Sequence, residues 1–149
     1  MPHVLAQARS AAVAALNGLP TTGPRVYVQE PYPWPEASLP ALVVATSCAP
    51  VPEYLDPGAA LRWDVVIEVT CVVKGTGDLM AELDTIATEV QGALCALATV
   101  GGKSVQVLPT NLDAPAVDGS GDQPVARRTV SLVMQSLFTL AASPDLLLD

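Results

Sequence analysis

The longest regular pattern lies over residues 62–74. There Trp63, Val65, Ile67, Val69, Cys71 and Val73 point one way, and Arg62, Asp64, Val66, Glu68, Thr70, Val72 and Lys74 the other. A period of two predicts a strand with one face in the core and one meeting water or a partner. Gly75-Thr76-Gly77-Asp78 then turns the chain, and Leu79, Leu83, Ile86, Val90, Leu94 and Leu97 recur at helical spacing. Asp78 is placed to cap that helix, and Glu82 and Asp84 lie early, where the positive end of the macrodipole favours acids. Gly101-Gly102 is expected to end it.

Leu5, Ala8, Ala12, Ala15, Leu16 and Leu19 predict an earlier helix over residues 2–17, stopped by Asn17-Gly18 and Pro20. Its alanine-rich face permits close approach but contributes little apolar area. Residues 25–29 alternate as a short strand with Val26 and Val28 inward, and the apolar run 41–46 reads as a strand central in a sheet or covered on both faces. Pro31, Pro33, Pro35 and Pro40 predict an extended surface course between them. A short strand is expected over 104–108, and a long one over 125–140 with Val130, Leu132, Met134, Phe138 and Leu140 inward and Thr129, Ser131 and Gln135 outward. Residues 109–124, rich in Asp, Gly and Pro, predict a loop long enough for binding. The fold class expected is α/β in the α+β sense, a mixed, mainly antiparallel sheet of about five strands with two principal helices packed on one face. One domain over 1–140 and a tail over 141–149 complete the expected organisation.

Half of the 149 residues are hydrophobic and mean hydropathy is +0.41, yet the longest strongly apolar run, 41–45, is far short of the ~20 residues of a membrane helix. A soluble chain with no membrane partner is expected. Apolar surface that a small domain cannot bury internally is often buried between subunits, so an oligomer is expected as well. Net charge is −8, which opposes a grip on nucleic acid, since that draws its affinity from Lys and Arg neutralising phosphates. An acidic wall suits a channel through which DNA slides, and it equally suits a plain acidic cytosolic protein. Cys48, Cys71 and Cys95 are too few and too widely spaced for a structural zinc site and read as reduced thiols. Cys71, on the apolar strand face, and Cys95, beside Leu94, are both expected in the core.

The tempting motifs lack their context. Gly101-Gly102-Lys103-Ser104 ends like a phosphate-cradling loop, but a helix precedes it and a strand follows, the reverse of the required order, and Leu97 stands at the first glycine position. Gly75-Thr76-Gly77 does lie between a strand and a helix, but Met80 occupies the third glycine position of a dinucleotide fingerprint. His3, the one histidine, lies at the start of the sequence and leaves no Ser-His-Asp or Cys-His arrangement to assemble in a fixed core. Asp113, Asp118 and Asp122 do not match calcium-loop spacing and read as solvated carboxylates. No cofactor and no metal are expected. Tyr32 and Trp34 read either as partner anchors or as rings folded back over the sheet edge. Arg128 falls on an otherwise apolar strand face, from which it can reach solvent or an acid of a neighbour.

The order of these elements, with the segments "LAQARSAAVAALNG", "TGPRVYVQE", "PEASLPALVV" and "RWDVVIEVTCVVKGTGDLMAELDTIATEVQGAL", resembles the tail terminator proteins of long-tailed phages, the minor tail protein U type. The resemblance covers nearly everything up to Leu140. It implies a non-enzymatic virion protein that forms a homo-hexameric ring at the head-proximal end of the tail, halts tube polymerisation and offers a surface for head joining. The implied partners are other copies of the chain, the tail tube protein and a neck or head-completion protein. DNA would pass through the lumen without specific binding, and assembly would take place in the host cytoplasm. The rival readings are a head-side neck or tail-completion protein and, more remotely, a small enzyme with an unrecognised site. The candidate interface residues are Tyr32, Trp34, Arg62, Asp64, Glu68, Lys74, Asp113, Asp118, Asp122, Arg127 and Arg128.

Overall fold

A computed structural model describes residues 4–28, 40–48, 53–56, 60–75, 77–100, 103–118, 125–140 and 143–146. The first helix, α1 (Val4–Leu16), buries Val4, Ala8, Ala12 and Leu16 at a four-residue spacing. It ends where Gly18 takes a positive φ of 91°, a conformation open to glycine without a Cβ clash. The following turn is closed by Gly18 N–H donating to the Gly23 carbonyl at 2.9 Å and Gly23 N–H to that of Leu19 at 2.8 Å. It is tied to the second helix, α2 (Leu79–Cys95), by Glu89, whose carboxylate accepts from the Thr21 amide at 3.0 Å and the Thr21 hydroxyl at 2.6 Å.

α2 begins as the sequence predicts. The Asp78 side chain accepts from Ala81 N–H at 3.1 Å, and Leu79, Leu83, Ile86, Val90 and Leu94 are all buried, with Ala87 filling the gap in the stripe. The helix stops at Cys95, earlier than the expected Gly101-Gly102. The chain instead forms a small antiparallel pair, β5 (Thr99–Val100) with β6 (Lys103–Ser104), so Lys103 and Ser104 stand in a strand rather than at a helix N-terminus.

The main sheet is mixed, mainly antiparallel and five columns wide. β1 (Val26–Tyr27) runs parallel to β2 (Ala41–Cys48), with Val26 opposite Leu42. β2 pairs antiparallel with β4 (Ala60–Lys74), and β3 (Glu53–Asp56) extends the same column along the start of β4. On the other side, β4 pairs with β9 (Val125–Leu140) from Ala60–Leu140 to Lys74–Val125. The fifth column is divided among β7 (Gln106–Leu112), β8 (Ala116–Asp118) and β10 (Ser143–Leu146), all antiparallel to β9.

Both helices lie on one face. α1 packs over β2 and β4, and α2 over β4, β9 and β7. Beneath them Val65, Ile67, Val69, Cys71 and Val73 of β4 join Ala126, Val130, Leu132 and Met134 of β9 in one apolar cluster, as the alternation predicts. Three expectations are corrected. A register shift between Trp63 and Val65 places Leu137, not Phe138, opposite Trp63 and interrupts the uniform alternation expected along β9. Residues 109–112 and 116–118 are strand rather than loop. Pro109 is tolerated because, among the described residues, β7 pairs only with β9, so its outer edge has no strand that needs an N–H, and a second register shift between Pro109 and Asn111 absorbs the irregularity. Finally, Val72 and its register partner Ala41 are fully buried on the second face, so that end of the face is covered within the chain.

Candidate interaction surfaces

The strand period sorts the candidate residues onto two surfaces. Asp64, Glu68, Lys74 and Arg127 stand on the face of the sheet away from the helices, as do Thr70, Thr129, Ser131 and Gln135. Register joins them across β4 and β9: Glu68 opposite Ser131, Thr70 opposite Thr129, and Arg127 opposite the buried Val72. The Thr70 and Thr129 hydroxyls lie 3.2 Å apart and form one cross-strand hydrogen bond. Glu68 is exposed, while Asp64, Thr70, Lys74, Arg127, Thr129 and Ser131 are half-buried among the half-buried Val43, Val66 and Val133. The face therefore mixes hydroxyls, both signs of charge and aliphatic side chains. Arg62 pairs in backbone register with Phe138 further along the same two strands.

The second surface is the rim where α2 overhangs the fifth column. Arg128 stands on the core side of β9, in register with Cys71. A guanidinium there needs partners, and it finds them inside the chain: Nη1 donates to Asp84 of α2, and Nε to the Asp113 carbonyl at 3.0 Å. The guanidinium thus clamps the helix and the β7–β8 connection to β9. Asp113 also accepts from the Asn111 side-chain amide at 2.6 Å. Asp118 pairs in register with Val125. Tyr32, Trp34 and Asp122 lie outside the described residues, as does His3. The Arg128–Asp84 pairing crosses 44 residues of sequence, and the only signal that could have found it was a charged residue in an apolar register.

The thiols divide. Cys71 is fully buried, and desolvation pushes it up to about 12, an effect the nearby positive charge of Arg128 only partly offsets. Cys95 is exposed, contrary to the expected core position, because it stands 100° around the helix from the buried Leu94. Brief maleimide labelling of the native protein at neutral pH, read by mass spectrometry, is therefore expected to modify Cys95 and spare Cys71. Above pH 9 the unfolded chain loses the Cys71 proton while the folded chain keeps it. Stability then falls as pH rises from about 9 towards 12, with a limiting slope of about 1.4 kcal/mol per pH unit from this group. Replacing Cys71 with alanine is expected to remove that slope from alkaline denaturation curves. Among the described residues no cluster of three or more His, Cys, Asp or Glu is arranged to hold a metal ion.

Comparison with known proteins gives a likeness of fold. A chain in the virion of a native gene transfer agent particle matches over 90% of this chain and 92% of that chain, with a TM-score of 0.50 and 20% sequence identity. No family model matches the sequence, and no curated protein matches it.

Proposed function

We propose that this chain is a structural protein of a phage-like particle, and that within it the chain forms a ring capping the head-proximal end of the tail tube. The observation that carries the first part is the fold likeness to a gene transfer agent virion chain, which spans nearly the whole of both chains. The finer assignment is supported by the resemblance of the element order to tail terminators. It is also consistent with candidate residues that sort onto two surfaces and with a net charge of −8, which keeps passing DNA from adhering.

In this reading the protein works by shape. One surface of the ring copies the face that a tube subunit offers to its predecessor, and the opposite surface does not offer the face that recruits the next. Polymerisation stops there, and the head docks on what remains exposed. The sheet face bearing Glu68, Lys74, Arg127 and the Thr70–Thr129 pair meets a neighbour or lines the lumen, because both helices occupy the other side.

A cryo-EM map of the particle neck tests the placement. The expected result is a ring of this fold between the tube and the head-joining components. Density for the chain on the head side of the neck would favour a neck or tail-completion protein instead, and its absence from the particle would reject a structural role.

A further inference from the structure

Asn17-Gly18, which ends α1, carries chemistry of its own. Asparagine is a thermolabile residue, and most so before glycine, where no side chain on the following residue shields the backbone nitrogen. That nitrogen, from Gly18, adds to Asn17 Cγ, its proton passes to solvent base, and the Cγ–Nδ2 bond breaks as ammonia leaves. Water then opens the five-membered imide at either carbonyl. The products are an aspartate and its isomer, in which the chain runs through the side-chain carbon. The other asparagine, Asn111, precedes Leu112 and lacks this opening. Asn17 and Gly18 are both exposed, and a Cβ added at Gly18 would meet nothing within 4 Å, so packing does not limit access to the bond.

Hydrogen bonding does. The Gly18 N–H, whose proton the attack must remove, donates to the Gly23 carbonyl at 2.9 Å, and Asn17 N–H donates to the Val13 carbonyl at 3.0 Å, which keeps Asn17 on the last turn of α1. The turn over residues 18–23 is fastened in its middle. Glu89 of α2 accepts from the Thr21 amide and hydroxyl, and the Arg25 guanidinium donates to the Thr21 carbonyl at 3.1 Å. One group opposes the closure: the Thr22 hydroxyl is buried and finds no hydrogen-bond partner among the described residues, so opening the turn returns it to water.

We propose that Asn17-Gly18 is a deamidation and isomerisation site that the 18–23 turn and its Glu89 tether hold closed. The nitrogen reacts only from the open turn, so the native rate is that of the unfolded dipeptide reduced by the opening equilibrium. The aspartate places a negative charge at the C-terminal end of α1, where the macrodipole disfavours it. The isomer adds a carbon to the backbone between α1 and the turn. Either product loosens the closure that had protected the site, and the ammonia lost makes the change irreversible. The inference stands on this turn alone and is independent of the proposed function.

Incubation of the folded protein at mildly alkaline pH, sampled over days and read by peptide mass mapping, tests it. The urea-unfolded chain at the same pH is expected to deamidate at Asn17 about tenfold or more faster than the native chain, with Asn111 slow in both. Glu89→Ala and Thr21→Val, each checked for folding by circular dichroism, are expected to raise the native rate several-fold. Thr21→Val keeps the side-chain volume and the amide bond and removes only the hydroxyl donor, so it serves where Glu89→Ala disturbs the fold. Hydrogen exchange at the Gly18 amide reads the same opening without the chemistry, and its protection is expected to fall by the factor by which deamidation rises. Asn17→Gln is expected to abolish the product. A native chain that deamidates as fast as the unfolded one overturns the proposal. So does a native rate unchanged in both tether variants, or one that rises while the Gly18 amide stays fully protected.

Discussion

Replacing Leu83 with alanine is expected to destabilise the folded protein by about 2–5 kcal/mol. Leu83 has zero exposure and is a central member of the stripe through which α2 packs on β4, β9 and β7. The loss combines the transfer free energy of the removed carbons with the cavity left in the core cluster shared with β4 and β9, which cannot collapse freely because those strands are paired on both sides. Thr85, on the outer surface of the same helix, provides the control. Its hydroxyl only bonds back to the Ala81 carbonyl at 3.0 Å, so Thr85→Ala is expected to change stability by no more than about 0.5 kcal/mol. Chemical denaturation of both variants would check the contrast. Against a total of about 5–15 kcal/mol for a typical domain, the Leu83 variant is expected to be visibly less stable at growth temperature.

That contrast was legible in the sequence because a helix and a half-buried strand impose regular periods on side-chain chemistry. The α2 stripe, the Asp78 cap, the Val65-to-Val73 alternation and the placement of both helices on one sheet face follow from those periods alone. What the sequence concealed are places where pairing outweighs local preference. Pro109 reads as a breaker, but in an outer column it removes a donor that no neighbouring strand requires. The bulge opposite residues 63–65 leaves no composition mark and yet shifts the register of everything beyond it. Cys95 follows Leu94 in sequence but stands a third of a turn away from the core.

The candidate surfaces were legible in part. Alternation placed Glu68 and Arg127 on the open face, and it marked Arg128 as a charge in an apolar register. It could not show that Asp84 answers that charge from within the same chain, since the two meet only once α2 folds back across the sheet. Nor could it show that Val72 is buried on the face otherwise left open, or that Leu112 and Val117 stand exposed on strands where a loop had been expected. These depend on which columns neighbour one another, and a single sequence does not carry that information.

The central claim is that the chain stops tube growth, and the direct measurement is the distribution of tail lengths in particles made without it, imaged by negative-stain electron microscopy. A terminator acts by occupying the end to which the next tube subunit would add, so its removal leaves that end competent. Polymerisation then continues until tube protein is exhausted, and the head-joining surface never forms. The account predicts a broad distribution extending well beyond the wild-type length, with tails detached from filled heads, and return to one length and to joined particles when the chain is supplied in trans. Tails of normal length joined to heads in its absence would contradict the termination role.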